Sequence, residues 1–232
     1  MNVIPTYLGV VLYAVLPYVA LALFFLVTIH RYRAQTFTYS SLSSQLLENQ
    51  QHFWALVPFH YGLLVVLAGH LIAFLIPRQL LWFNGNPARL YILEVIGLIF
   101  GLSTLIGIVA IVLRRLSYSK VRVVTSWADW VLYGLLFVQV FTGVLVAIFY
   151  RWGSSWFAAA MTPYLWSLVK LNPQIAYLTG LPWLVQLHVI NAFILIGFFP
   201  FTRLVHILVV PIPYLWRKPQ VVRWYRRVEA GE

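Results

Sequence analysis

Five apolar runs decide what this chain can fold into, at about Ile4–Ile29, Phe53–Ile76, Tyr91–Leu113, Trp127–Tyr150 and Trp183–Val210. Each reaches the ~20 residues that a helix needs to cross a bilayer. Lipid offers a backbone no hydrogen-bond partners, so a run of this kind becomes a helix that satisfies its own N–H and C=O groups. The expectation is an all-α polytopic membrane protein with five transmembrane helices, forming a single domain over residues 1–232. Composition agrees: 62% of the residues are hydrophobic, only 9% are charged and mean hydropathy is +0.86. A water-soluble globule is excluded on those figures.

The net charge of +11 does not point to nucleic acid, because the positive residues gather at the ends of the apolar runs. Arg31 and Arg33 follow the first run; Arg114, Arg115, Lys120 and Arg122 follow the third. Arg203 and five more between Arg217 and Arg227 lie at or beyond the end of the fifth. That places 12 of the 16 basic residues on one side of the membrane, against Arg78, Arg89, Arg151 and Lys170 on the other. By the positive-inside rule the N-terminus is outside and the C-terminus cytoplasmic, in the cell's inner membrane. No Lys or Arg precedes Arg31 and no small-residue cleavage site stands out, so the first run reads as a retained span. Trp54, Trp82, Trp127, Trp152 and Trp183 fall near span ends, as an aromatic belt requires. Pro17 and Pro200 are expected to kink the first and fifth helices. In the long outer loop from Arg151 to Pro182, Trp156-Phe157, Tyr164-Leu165-Trp166 and Leu168-Val169 read as an amphipathic helix lying in the interface.

Four of the six histidines lie within two of the spans: His60 and His70 in the second, His188 and His206 in the fifth. Ionisable side chains at membrane depth are costly and mark function. The two spans run in opposite directions, so equal depth pairs His60 with His206 on the cytoplasmic side and His70 with His188 on the outer side. In a continuous helix the 18 residues from His188 to His206 make five whole turns and ~27 Å of rise; the ten from His60 to His70 make ~15 Å. Two bis-histidine haems stacked across one bilayer are compatible with that spacing. With no cysteine in the chain, a cysteine-ligated cluster and a covalently attached haem are excluded, which leaves haem b.

Around the histidines, Gly69 either lets a porphyrin approach the backbone or serves helix packing. Arg203 is a candidate partner for a haem propionate, its alternative being a cytoplasmic topology charge. His30 and His52 read as interfacial, and Gln139 and Asn191 as interhelical hydrogen bonders. Asp129 reads either as a helix-start acid favoured by the dipole or as a contact for a soluble partner. A transporter with a histidine proton relay is the rival from another class. It calls for acids or interrupted helices at mid-depth, and the mid-membrane acids are missing.

The motifs Ser43-Ser44-Gln45-Leu46-Leu47, Phe59-His60, Gly69-His70, Arg114-Arg115-Leu116, Val121-Arg122, Ala128-Asp129 and Leu187-His188 make up a recognisable pattern. The run from Phe199 through Pro200, Thr202 and Arg203 to His206 closes it. In these the chain resembles the γ subunit of respiratory nitrate reductase, a dihaem cytochrome b, along nearly its whole length. The resemblance implies that His60 and His206 ligate the inner haem iron and His70 and His188 the outer one. It further implies oxidation of menaquinol or ubiquinol near the outer haem. Electrons then pass to an iron–sulfur β subunit and a molybdenum-cofactor α subunit that reduces nitrate. Other quinone-linked complexes, of sulfite- or disulfide-reductase type, are the alternative within that class. Family members can carry a lysine in the loop after the second span; here Leu90 falls near that position, with Arg89 beside it. Arg89 is therefore a candidate hydrogen-bond donor to a quinone oxygen, or else a headgroup anchor. Glu94 is a candidate proton acceptor from quinol, or else a structural partner of Arg89.

Overall fold

In the computed structural model, residues 6–34 and 50–209 are described. The Ser43–Leu47 motif, the His52 side chain and the basic tail from Arg217 lie outside the described residues. Among the described residues the chain is helical and has no strand, and five helices are long and apolar enough to cross a membrane. The elements are α1 (Leu16–Ala34), α2 (Gln50–Leu75), α3 (Pro77–Asn84), α4 (Pro87–Ser117), α5 (Trp127–Phe149), α6 (Thr162–Val169), α7 (Trp183–Phe198) and α8 (His206–Val209). Shorter turns join them.

Local chemistry sets the helix starts. Asn86 caps α4, its Oδ1 accepting from the Ala88 and Arg89 amides at 3.0 and 3.3 Å, with Pro87 in the first helical position. Proline fits there because its missing N–H would have had no partner. At the start of α5, Ser126 and Asp129 form a capping box. The Asp129 amide donates to Ser126 Oγ at 3.2 Å, and the Ser126 amide donates to Asp129 Oδ2 at 2.9 Å. Asp129 is thus the helix-start acid that the sequence suggested, and it is buried.

Two glycines let α2 and α4 pack backbone to backbone. A Cβ on Gly62 would stand 2.6 Å from the Phe100 carbonyl oxygen, and one on Gly107 would stand 2.5 Å from the Phe59 amide nitrogen. Phe59, Ile108, Ile111, Leu132 and Leu136 fill the core where α5 closes on this pair. A second core, of Tyr13, Ala20, Met161, Tyr164, Leu168, Val189 and Phe193, joins α1 and α7 to the segment between α5 and α7. The remaining helix surface is apolar and exposed, as at Leu26, Ile106 and Phe149. In water such a surface would drive aggregation; in lipid it is the solvent-facing side.

Prolines shape the irregular places. A wide π turn at Val11–Val15 stands two residues before Pro17, and another at Phe157–Met161 stands two before Pro163. Pro17 has no N–H for the Tyr13 carbonyl. The Tyr164 hydroxyl supplies one instead, donating to that carbonyl at 2.8 Å.

At Pro200 the anticipated kink is a full break. Behind α7 come two 3₁₀ turns, Phe199–Phe201 and Arg203–Val205, with Thr202 extended between them (φ −115°, ψ 176°), and only then α8. The fifth span is therefore not one helix from Trp183 to Val210, and the five-turn count between His188 and His206 does not hold. Arg31, at the end of α1, donates to the Pro200 carbonyl inside the break.

The segment between α5 and α7 also differs from a helix simply resting in the interface. It folds as several short helices docked on the end of α2. Thr162 Oγ1 donates to the Ala73 carbonyl at 3.0 Å, Trp166 Nε1 donates to the Phe74 carbonyl at 3.2 Å, and the Trp166 and Phe74 rings stack at 5.0 Å.

Candidate cofactor site

The histidines that topology paired at the His206 end are brought together. His60, from α2, and His206, at the start of α8, have ring centroids 6.5 Å apart. Two metal–imidazole bonds of about 2 Å, plus about 1 Å from each nitrogen to its ring centre, span about 6 Å. The separation of the two ring centres is close to that span. The break at Pro200 makes this meeting possible, because it resets the direction and rotation of the chain just before His206.

The tautomers follow from the partners. His60 Nδ1 lies 2.9 Å from the Leu56 carbonyl and His206 Nδ1 lies 2.6 Å from the Arg203 carbonyl. A carbonyl oxygen only accepts, so Nδ1 carries the proton on each ring and Nε2 keeps its lone pair for a metal. His70 obeys the same rule, with Nδ1 2.8 Å from the Val66 carbonyl.

At the other end of the bundle stand His70, on α2, and His188, on α7. His70 is exposed, with the Phe157 ring against it edge-on at 5.2 Å. A Cβ on the neighbouring Gly69 would meet no atom within 4 Å, so the backbone there opens onto free space. That observation argues against tight helix packing at Gly69. His188 is half-buried against α5. Thr142 Oγ1 lies 3.0 Å from its Nδ1, and Gln139 Nε2 lies 3.0 Å from its Nε2 and 3.3 Å from its Nδ1. Asn191 Nδ2 donates in turn to Gln139 Oε1 at 2.8 Å and to the Leu135 carbonyl at 3.0 Å. Gln139 and Asn191 are thus interhelical hydrogen bonders, and the group they serve is a histidine.

Among the described residues no cluster of three or more His, Cys, Asp or Glu side chains is present. A donor set of two imidazoles leaves most of a metal's positions to other ligands. A planar macrocycle that supplies four donors and leaves both faces open suits such a pair.

Three further candidates take definite places. Arg203 Nε donates to Asp129 Oδ1 at 2.8 Å and Arg203 Nη2 to the Val124 carbonyl at 2.9 Å, tying the break in the fifth span to the start of α5. Buried Arg115 lies nearby, donating to Thr125 at 2.7 Å with its guanidinium over the Tyr133 ring. Arg89 spreads over the Trp82 and Phe83 rings of α3, 5.1 and 5.0 Å from their centroids, with its Nε buried and lacking a hydrogen-bond partner. Glu94 is taken up by the turn after α5. One of its oxygens accepts from the Gly153 amide at 3.0 Å; the other accepts from the Ser154 amide at 2.8 Å and from Ser154 Oγ at 2.6 Å.

Sequence reasoning passed over Thr142, Gly143 and Phe157. A signal was present for Thr142: it stands three residues after Gln139 in an apolar span, hence on the same helix face. Phe157 gave none, since its place depends on how the outer segment folds back.

The chain from residue 9 to residue 225 matches the family model described as nitrate reductase gamma subunit. It is 31% identical to the nitrate reductase gamma chain of Bacillus subtilis over 93% of its own length and 98% of that relative. It is also 31% identical to the respiratory nitrate reductase 2 gamma chain of Escherichia coli, covering 94% and 97%. A more partial likeness, 30% identity over 52% of this chain and 40% of the relative, links it to a Methanosarcina barkeri protein. That protein is named as one of the subunits of dihydromethanophenazine:CoB–CoM heterodisulfide reductase. With a family match and two near full-length relatives of that kind, this multi-pass membrane chain belongs to the nitrate reductase gamma subunit family.

Proposed function

We propose that this chain is a dihaem cytochrome b that takes electrons from a quinol at one membrane face and delivers them to a soluble partner at the other. The observation that carries the reading is the facing pair His60 and His206, 6.5 Å between ring centres, with both Nδ1 atoms held by backbone carbonyls. Bound haem b would supply reversible one-electron chemistry of its iron. His60 and His206 would be the axial ligands of one haem, and His70 and His188 those of the other.

The protein's own residues do the rest. Backbone carbonyls at Leu56, Val66 and Arg203 orient three of the imidazoles and raise their basicity as ligands. Arg203 and Arg115 place positive charge near the His206 end, where carboxylate groups of a haem or acidic groups of a partner find a counter-charge. Gly69 leaves the His70 end open, and Arg89, spread over Trp82 and Phe83, is the candidate donor to a quinol oxygen. Glu94, already accepting three hydrogen bonds, holds the Gly153–Ser154 turn and is a candidate to receive a quinol proton only if that turn moves.

The basic side of the chain faces the cytoplasm on this reading. The partners there are an iron–sulfur β subunit and, through it, a molybdenum-cofactor α subunit that reduces nitrate. Protons released from quinol outside and electrons moved inward separate charge, worth ~2.3 kcal/mol per 100 mV for each charge. The likeness to a heterodisulfide reductase component favours one second reading, a different soluble partner behind the same cytochrome. The test is direct: reduced menaquinol analogue is added to the purified chain in lipid and the haem b absorption is followed. Reduction sensitive to Arg89→Ala is expected. A preparation with haem that no quinol reduces would overturn the quinol reading.

A further inference from the structure

Three of the four histidines anchor Nδ1 on a carbonyl three or four residues back in their own stretch of chain: Leu56 for His60, Val66 for His70 and Arg203 for His206. His188 does not. Its Nδ1 lies 3.0 Å from the hydroxyl of Thr142 on a different helix, α5. Thr142 is buried, and its hydroxyl lies 2.7 Å from the Val138 carbonyl. A hydroxyl has one proton and two lone pairs; with the proton spent on a carbonyl, it can only accept from His188. Asn191 donates to Gln139 Oε1, which turns the Gln139 amide nitrogen toward the His188 ring, 3.0 Å from Nε2 and 3.3 Å from Nδ1. Within reach of both ring nitrogens, that amide selects no tautomer; the accepting Thr142 hydroxyl does, placing the proton on Nδ1 and the lone pair on Nε2. Gly143 completes the seat, since a Cβ at that position would stand 3.0 Å from His188 Cε1.

From this we infer that Thr142 is the positioning residue of His188, and that α5 rather than the histidine's own helix fixes the ligand and tunes the haem it holds. The inference rests on the dihaem reading above. Its physical content is an asymmetry. The anchors of His60, His70 and His206 are peptide carbonyls, which no side-chain change removes, whereas the anchor of His188 is a single hydroxyl. An acceptor at Nδ1–H pushes electron density onto the ligand and favours ferric iron, so losing it raises the midpoint potential of that haem alone.

The experiment is a dye-mediated redox titration of the full chain in detergent, read on the haem b absorption band, for wild type, Thr142→Val, Thr142→Ser and Thr104→Val. Thr104 is the control: it is buried, and its hydroxyl donates at 2.8 Å to the Phe100 carbonyl of its own helix. Thr142→Val should shift one of two midpoint potentials upward, or cost one haem of two by pyridine haemochrome. Thr142→Ser should restore wild-type values and Thr104→Val should leave both potentials in place. Unchanged potentials and haem content in Thr142→Val, equal shifts of both haems, or a serine variant no better than valine would overturn the inference while leaving the dihaem reading intact. Wild-type chain without haem would instead remove the reading on which it rests.

Discussion

His60 and His206 face each other across 6.5 Å from widely separated parts of the chain, each ring held by a backbone carbonyl. The relationship depends on the break at Phe199–Val205, which Arg203 and Thr202 stabilise. Thr202 Oγ1 accepts from the Leu204 amide at 3.1 Å, while Arg203 reaches back to Asp129.

The Arg203–Asp129 pair is therefore expected to matter for stability as well as for the site. Asp129 is enclosed, and Asp129→Ala removes both the ion pair and a capping-box acceptor. A loss of about 2–4 kcal/mol is expected, against less for Arg203→Ala, whose side chain is 26% exposed. Thermal unfolding of the detergent-solubilised variants measures this. Equal, negligible shifts in both would mean that the pair contributes nothing to the fold.

Close approach of α2 and α4 at Gly62 and Gly107 gives a sharper steric prediction. Gly107→Ala places a methyl group 2.5 Å from the Phe59 amide nitrogen, a backbone atom that cannot move aside. The helices must separate next to His60, costing about 1–3 kcal/mol or more and lowering haem retention. Gly69→Ala meets nothing within 4 Å and should fold normally. A Gly107→Ala chain with wild-type thermal stability would contradict this packing.

Glu94 is expected to act first as an anchor. Glu94→Ala frees the Gly153 and Ser154 amides and so loosens the segment that sets Phe157 against His70. Amide hydrogen exchange over residues 153–157 should quicken, with a parallel fall in occupancy of the haem held by His70 and His188. Exchange at the wild-type rate would leave only the proton-acceptor role for this carboxylate.

Much of this was legible in the residues. Apolar run lengths specify five spans because lipid penalises any unsatisfied backbone, a constraint that acts on the chain one segment at a time. The antiparallel run of spans two and five likewise pairs His60 with His206. The break after α7 was only half visible: Pro200 announces a disturbance, but the extended Thr202 and the return to helix at His206 depend on contacts from Arg31 and Asp129 elsewhere in the chain. The roles of Thr142 and Glu94 were hidden for the same reason. Periodicity gives the face a residue occupies, whereas its partner depends on how two helices are rotated about each other.

A haem held by each pair of histidines must show in the haem stoichiometry of single-histidine variants. The chain is purified as wild type and as His60→Ala, His206→Ala, His70→Ala and His188→Ala, and haem b is counted by pyridine haemochrome with each midpoint potential recorded. Two haems are expected in wild type, with loss of the same single haem in His60→Ala and His206→Ala and loss of the other in His70→Ala and His188→Ala. Well-folded wild type without haem, or loss that follows a different pairing, would contradict this ligand assignment.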